Sequence, residues 1–209
     1  MTAPVSGQLS FFSAGAHPPA YADLDGLLAG PGQVVRRGAA ARVSVLLLGS
    51  PGWRSAALAV ELAGLRLAAE VSPAGARGGT VVRTAFDLAL GPLAERWTVG
   101  AVKRAPSDLH LDGARLRWWC LAAGWPDPAG FRLGLGTGDD SSWPAIGAAL
   151  AGAGVPATLV RPRADRPAYR IVGDRRLARL RELVGSAPAG AGPEWPASDR
   201  RPHGAPVRG

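Results

Sequence analysis

The sequence has a single cysteine, Cys120, and no long apolar run. One thiol excludes a disulfide framework and any metal site built from several thiolates. A membrane helix needs roughly 20 consecutive apolar residues, and no stretch of this chain approaches that length. The first residues also lack the basic segment that opens a secretory signal. We therefore expect a cytoplasmic protein that does not enter a membrane.

Lysine and histidine are nearly as scarce as cysteine. The chain has one lysine, Lys103, and three histidines, which lie far apart at positions 17, 110 and 203. No serine or cysteine near these histidines has the sequence context of a catalytic nucleophile. The sequence therefore predicts no catalytic triad, no metal site and no cofactor.

Arginine, in contrast, is abundant. The net charge is +8 and the isoelectric point is about 11.2, and the other 23 basic residues are all arginines. A strongly basic chain is typical of proteins that bind nucleic acid. The arginines accompany 29 glycines and 19 prolines, a composition that GC-rich genomes also produce. Their position is more informative, because residues 99–185 carry 13 basic and 8 acidic groups, whereas residues 1–98 carry 8 and 6.

One pattern of predicted elements occurs twice in the chain. The first copy contains a helix over 23–29, strands over 34–37 and 42–48, a helix over 53–63, strands over 67–71 and 80–86, and a helix over 88–97. The second copy contains a helix over 111–123, a strand over 131–135, a helix over 142–150, strands over 157–161 and 168–172, and a helix over 175–184. Each copy is therefore predicted to be a small α+β unit.

The two copies match at an offset of roughly 87 to 90 residues. The sequence LDG at 24–26 corresponds to LDG at 111–113, and Trp53 corresponds to Trp143. Solenoid repeats run about 20 to 50 residues, so the longer period indicates a duplicated domain. The predicted organisation is an irregular arm over 1–21, a first module over 22–97, a linker over 98–110, a second module over 111–185 and a disordered tail over 186–209.

The first helix of each copy ends in a glycine-containing turn, at 24–34 (LDGLLAGPGQV) and at 117–125 (RWWCLAAGW). These stretches resemble the signature helix of LAGLIDADG homing endonucleases, and the second copy is more similar to the LAGLIDADG-like domain of WhiA-type sporulation regulators. The resemblance, over about residues 22–185, implies an α+β fold of two pseudo-symmetric αββαββα modules whose antiparallel sheets form a saddle. It also implies duplex DNA as the partner of a monomer with an internal pseudo-two-fold axis. We expect the modules to pack through these helices, whose small residues allow close approach: Gly26, Ala29, Ala114, Ala122 and Ala123.

The signature helices depart from the endonuclease pattern at the metal-binding position. Where the family has a carboxylate at the foot of each helix, this chain has Pro31 in the first copy and Ala123 in the second. Two-metal phosphodiester cleavage needs carboxylates to hold Mg²⁺, and Asp25 and Asp127 lie too far along the chain to replace them. The sequence therefore predicts a catalytically degenerate protein, a transcriptional regulator or accessory factor, with residual endonuclease activity as the main enzymatic alternative.

Arginines are the predicted DNA contacts. Alternate residues of a strand face opposite sides of its sheet, so burial of Phe131 and Leu133 turns Arg132 outward into solvent. Arginine pairs well with phosphate and with guanine edges. The predicted DNA-binding residues, on the open side of the sheets or at a strand end, are Arg42, Arg83, Arg132, Arg161, Arg163 and Arg170. The alternative interpretation is a solvated sheet face made arginine-rich by genome composition.

Two other functions stay open at this point. A protein of the same fold could act only as a non-catalytic interaction or structural protein. The turn from Gly49 to Gly52 could also belong to a βαβ unit that binds a nucleotide phosphate at a helix N-terminus. That unit requires a parallel sheet through 43–48 and 67–71, and the chain lacks the glycines and the lysine of the usual phosphate-binding motifs.

Overall fold

The first module is a four-stranded sheet covered on one face by helices. The structure, a computed structural model, describes residues 14–15, 17–49, 52–75, 78–136, 140–161 and 166–196. After a 3-10 turn at Tyr21–Leu24, the module contains α1 (Asp25–Ala29), β1 (Gln33–Arg37), β2 (Ala40–Leu47), α2 (Gly52–Gly64), β3 (Ala69–Pro73), β4 (Thr80–Thr84) and α3 (Gly91–Trp97).

The second module follows a short hairpin of two strands, β5 (Thr98–Val99) and β6 (Val102–Lys103). It contains α4 (Gly113–Ala123), β7 (Gly124–Asp127), β8 (Gly130–Gly134), α5 (Trp143–Gly152), β9 (Thr158–Val160), β10 (Ala168–Val172) and α6 (Asp174–Val184). None of the helices in the described ranges is long and apolar enough to cross a membrane.

The sheets of the two modules have the same topology. Their strand orders are β1-β2-β4-β3 and β7-β8-β10-β9, and every pairing is antiparallel. The registers also correspond, since Ser44 lies opposite Arg83 and Arg132 lies opposite Arg170. The predicted α+β fold of two αββαββα modules is therefore confirmed. The parallel sheet of the nucleotide-binding alternative is absent from the described strands, because β2 and β3 are separated by β4.

Helices α1 and α4 pack against each other and join the two modules. Every residue of α1 is buried, and a Cβ atom added to Gly26 would overlap the carbonyl oxygen of Arg115 on α4. Only glycine permits such a close approach of two helix backbones. The expected packing through the first helices is thus seen at Gly26.

Asp25, a buried carboxylate at the start of α1, links three elements. Its Oδ1 accepts a hydrogen bond from Trp97 Nε1 at 2.6 Å, its Oδ2 accepts one from Arg96 Nη1 at 2.8 Å, and Arg115 Nε lies 3.5 Å away. Burial of a carboxylate is costly unless hydrogen-bond donors and opposite charges surround it. Asp25 therefore stabilises the junction of α1, α3 and α4.

The regular structure between the modules and at the start of the second sheet was not predicted. Strand β7 contains Gly124 and Pro126, residue types that rarely occur inside strands, yet it pairs with β8 from Gly124↔Leu133 to Asp127↔Gly130. The predicted linker over 98–110 contains the β5–β6 hairpin, in which Thr98 pairs with Lys103. Both elements are short strands of local hairpins, and such short strands give little periodic signal in the sequence.

The prediction of a disordered tail is wrong for residues 186–196. The Trp195 side chain is buried, its Nε1 donates a hydrogen bond to the Gly185 carbonyl oxygen at 3.0 Å, and its ring lies edge-on to Trp53 with centroids 6.4 Å apart. Proline and glycine content favours disorder, but one buried tryptophan supplies enough apolar area to anchor the segment. Residues 197–209 of the predicted tail, and 1–13 and 16 of the predicted arm, lie outside the described residues.

Candidate nucleic-acid interface

Each sheet has one face packed against helices and one face free of them, which we call its open face. On β2, Val43 and Val45 are buried while Arg42 is partly exposed, and the same alternation occurs in β4, β8 and β10. The structure therefore brings four of the predicted arginines to the open faces: Arg42, Arg83, Arg132 and Arg170. Whether they contact DNA stays a prediction.

Two arginines on the first sheet share one aromatic ring. The guanidinium carbon of Arg37 lies 4.1 Å from the centroid of the Phe86 ring, and that of Arg42 lies 4.8 Å from the same centroid. Both distances are within the range of cation–π attraction. Arg37 is an additional open-face arginine, at the end of β1. The alternation rule applied to β1 would have found it, since Val34 is buried and the side chains at 33, 35 and 37 face the other way.

Arg83, also on the first sheet, pairs with a carboxylate of the neighbouring strand. Its Nη2 donates a hydrogen bond to Glu70 Oε2 at 2.8 Å, and both side chains are substantially exposed. An exposed ion pair of this kind stabilises a protein by about 0 to 1 kcal/mol. Its main effect here is to lower the net charge of this part of the open face.

On the second sheet, Asp127 lies between two of the predicted DNA contacts. Its Oδ2 forms an ion pair with Arg132 Nε, and its Oδ1 lies 3.4 Å from Arg170 Nε. The Asp127 side chain is 3% exposed, whereas Arg132 is 16% and Arg170 32% exposed. The expectation that both arginines point freely into solvent is therefore wrong, because a buried carboxylate of β7 holds them against the sheet.

The environment of Asp127 favours its charged form. Burial by itself would raise the pKa of this carboxyl group, but the Ala129 backbone N–H, which donates at 2.9 Å, and the two guanidinium groups outweigh it. The pKa of Asp127 therefore lies below its ordinary value. At neutral pH the cluster consists of one anion and two cations.

The last predicted contacts are at the end of β9. The Arg161 guanidinium lies 4.4 Å from the centroid of the Trp143 ring and 3.7 Å from Asp140 Oδ2, and its side chain is 57% exposed. Arg161 is therefore close to the start of α5 and accessible to solvent. Arg163, the remaining predicted contact, lies outside the described residues.

The foot of α1, next to Pro31, is capped by Lys103, the only lysine of the chain. Lys103 Nζ donates hydrogen bonds to the carbonyl oxygens of Leu28 at 2.9 Å, Gly30 at 3.0 Å and Gly32 at 2.8 Å. The last carbonyl groups of a helix have no partner within the helix, and a cation is favourable at this end of the helix dipole. Lys103 thus places a positive charge beside Pro31.

The foot of α4 is capped in the same way by a different residue. Arg54, from α2, is buried and donates hydrogen bonds to the carbonyl oxygens of Cys120 at 2.8 Å, Leu121 at 3.0 Å and Gly124. This charge lies next to Ala123, the last residue of α4. Sequence analysis identified neither capping residue, because their helix partners lie 66 to 75 residues away in the chain.

Two cavities lie at the helix feet. One, of about 390 Å³, is lined by Ala123 together with the end of β2, and the other, of about 490 Å³, is lined by Pro31 together with Leu135 and Gly136. Among the described residues that line the second cavity there is no carboxylate. The first has Glu194, whose Oε2 lies 3.6 Å from Arg54 Nη2.

The described residues at the two helix feet do not fit a divalent cation. Mg²⁺ is held by carboxylates and phosphates, and no group of three histidine, cysteine, aspartate or glutamate side chains that could hold a metal occurs in the ranges that the structure describes. Cys120 is buried, which raises the pKa of its thiol to about 12, so it is neither a metal-binding thiolate nor a nucleophile at neutral pH. We therefore derive no metal-dependent step.

Solved structures share this arrangement of two sheets and central helices. The homing endonuclease I-WcaI bound to its DNA recognition sequence matches with a TM-score of 0.59 and 11% identity, over 78% of each chain. The N-terminal LAGLIDADG domain of DUF199/WhiA matches with a TM-score of 0.51 and 14% identity, over 79% of this chain and 82% of that domain. The chain has the LAGLIDADG fold.

Full-length DUF199/WhiA from Thermatoga maritima contains the same fold within a longer chain. It matches with a TM-score of 0.55 and 14% identity, over 79% of this chain and 55% of that protein. No family model matches the sequence, and no curated protein matches it. The LAGLIDADG fold is therefore recognised here through structure and not through sequence similarity.

Proposed function

We propose that this LAGLIDADG-like protein binds duplex DNA across the open faces of its two sheets and does not cleave it. Arginines are the side chains suited to phosphate oxygens and guanine edges. Within the described ranges, the open faces hold five of them: Arg37, Arg42, Arg83, Arg132 and Arg170. The I-WcaI neighbour, which is described with its DNA recognition sequence, supports this choice of partner. The net charge of +8 favours association with a polyanion.

The absence of cleavage is inferred from one observation, the cationic caps on both signature helices. A divalent ion at either helix foot would meet Lys103 or Arg54 at the carbonyl oxygens next to Pro31 or Ala123. Neither Pro31 nor Ala123 supplies a carboxylate, and the one carboxylate described near the foot of α4, Glu194, already pairs with Arg54. A DNA-binding protein that lacks catalysis would serve as a transcriptional regulator or an accessory factor, in the cytoplasm and as a monomer with an internal pseudo-two-fold axis.

Fluorescence anisotropy with a labelled duplex tests DNA binding directly. Affinity is expected to fall steeply as salt rises, because each neutralised phosphate contributes about −0.9 to the slope of log K against log salt. Incubation of the protein with supercoiled plasmid and Mg²⁺ or Mn²⁺ is expected to give no nicking. Binding that is absent at low salt, or metal-dependent nicking by protein of proven purity, would contradict the proposal.

A non-catalytic interaction protein of the same fold is the second candidate. The observation that favours it is the pairing of open-face arginines with carboxylates, Arg83 with Glu70 and the arginines of β8 and β10 with Asp127. These pairs reduce the positive charge available for phosphate. If duplex DNA does not bind at any salt concentration, this candidate takes the place of the first.

A further inference from the structure

Arg37 and Arg42 differ from the other open-face arginines in whether a carboxylate lies beside the guanidinium group. Neither guanidinium pairs with a carboxylate within the described part of the chain, whereas Arg83 and the arginines of β8 and β10 each lie beside one. Arg37 is exposed and Arg42 is partly exposed. The uncompensated positive charge of the open faces is therefore concentrated on the β1–β2 hairpin.

The Phe86 ring positions the guanidinium groups of Arg37 and Arg42. The ring follows β4 and lies 4.1 Å from one guanidinium carbon and 4.8 Å from the other. Stacking on an aromatic face restricts a long side chain to few rotamers, and a side chain that is already ordered loses less entropy when it binds a ligand. A guanidinium that is not paired with a carboxylate also keeps its hydrogen-bond donors available for phosphate oxygens.

We propose that Arg37, Phe86 and Arg42 form the principal site for the phosphate backbone of DNA, and that the second sheet contributes less. This inference rests on the proposed function. The salt dependence of binding measures how many phosphates a protein neutralises. An arginine whose charge is already balanced by a buried carboxylate neutralises fewer phosphates. The surplus of basic residues over 99–185 favours the second module as the main phosphate site. The pairing of Arg132 and Arg170 with Asp127 favours the first module instead.

The test compares three charge-matched double variants in salt-dependent anisotropy titrations with one duplex. R37A/R42A removes the proposed site, R132A/R170A removes the arginines paired with Asp127, and R175A/R176A removes two exposed arginines from α6, on the helical side of the second sheet. We expect the slope of log K against log salt to shrink by about two in the first variant, by less than one in the second and by about zero in the third. Thermal melts verify that each variant is folded at the assay temperature.

A fourth variant, F86L, separates positioning from charge. It keeps both arginines, so the slope should stay unchanged while affinity falls by about two- to fivefold, the usual size of a cation–π contribution. A larger slope change in R132A/R170A than in R37A/R42A, or wild-type affinity in R37A/R42A, would overturn the inference while leaving DNA binding intact. Absence of binding by the wild-type protein, or tighter binding of a duplex RNA of equal length, would instead overturn the proposed function itself.

Discussion

The ammonium group of Lys103 lies 2.8 Å from the carbonyl oxygen of Gly32, just beyond the foot of α1. It also donates hydrogen bonds to the carbonyl oxygens of Leu28 and Gly30. A single cation therefore binds the carbonyl oxygens on both sides of Pro31. Arg54 does the same for α4, from a different element of the fold. In both modules, a side-chain cation thus stabilises the end of the first helix.

Replacement of Lys103 by methionine should destabilise the fold. The variant keeps most of the side-chain volume but leaves three partly buried carbonyl oxygens without their charged donor, and one hydrogen bond to a charged group contributes about 1.5 to 3 kcal/mol. We expect the free energy of unfolding in urea to fall by about 2 to 4 kcal/mol. Arg104→Ala, an exposed neighbour in the chain, should change it by less than about 0.5 kcal/mol. Equal effects of the two substitutions would show that Lys103 caps nothing.

We expect Lys103 to determine whether a carboxylate introduced at position 31 can bind a metal ion. Pro31→Asp alone is expected to bind no Mn²⁺ in calorimetric titrations, because the new carboxylate would pair with Lys103, which contacts the adjacent carbonyls of Gly30 and Gly32. The double variant Pro31→Asp/Lys103→Met removes that competitor and should bind Mn²⁺ measurably. The wild type is the matched control. Equal Mn²⁺ affinity in the single and double variants would show that the lysine does not exclude the metal.

Local patterns in the sequence predicted the scaffold of this site. The strand over 168–172 is observed with the same bounds, and the alternation of Phe131 and Leu133 placed Arg132 on the open face. The order of helices and strands is local information, because hydrophobic periodicity reports which side of an element is buried. The order of elements in the first module followed from it, whereas the αββαββα arrangement of both modules was implied by the resemblance.

The chemistry of the site depended on contacts that no local pattern contains. Asp127, on β7, pairs with Arg170, on β10, across the intervening strand β8, and β7 was not predicted. Lys103 finds its carbonyl partners up to 75 residues away, and the composition around Trp195 favours disorder although its ring is buried. Each of these contacts depends on tertiary packing, which overrides propensity and composition.

Asp127 makes stability sensitive to acid. Its folded pKa lies below its ordinary value, so its charged form stabilises the fold above the unfolded pKa near 3.9, and this contribution is lost as pH falls through the folded pKa. The wild type should therefore lose stability from about pH 5 downward. Asp127→Asn should be less stable at pH 7 and lose less between pH 5 and pH 3, as measured by urea unfolding at each pH.

Asp23 provides a control, because its pKa is shifted in the opposite direction to that of Asp127. Burial raises the pKa of this carboxyl group, against the hydrogen bond that it accepts from the Ala20 backbone N–H at 2.8 Å. A raised folded pKa means that stability is gained as pH falls through it. Asp23→Asn should therefore make the acid loss steeper than in the wild type. An acid profile of Asp127→Asn that matches the wild type would contradict the role of Asp127.

Trp195 should stabilise the body of the protein, although it lies ten residues beyond Gly185, which follows α6. Its buried ring contacts Trp53 edge-on, lies 5.3 Å from the Arg117 guanidinium carbon, and donates a hydrogen bond to Gly185. Truncation of a buried tryptophan to alanine typically costs about 3 to 5 kcal/mol through lost burial and the cavity left behind. We expect Trp195→Ala to lower the free energy of unfolding by this amount and to lower the melting temperature accordingly.

The matched control for Trp195 is Leu88→Ala, which truncates a large apolar side chain that is 69% exposed. Because little of the Leu88 surface is removed from water on folding, its loss should change the free energy of unfolding by less than about 0.5 kcal/mol. Urea unfolding of the two variants under identical conditions makes the comparison. If Trp195→Ala were as mild as Leu88→Ala, residues 186–196 would contribute nothing to the core. The disordered tail predicted from composition would then describe this segment correctly.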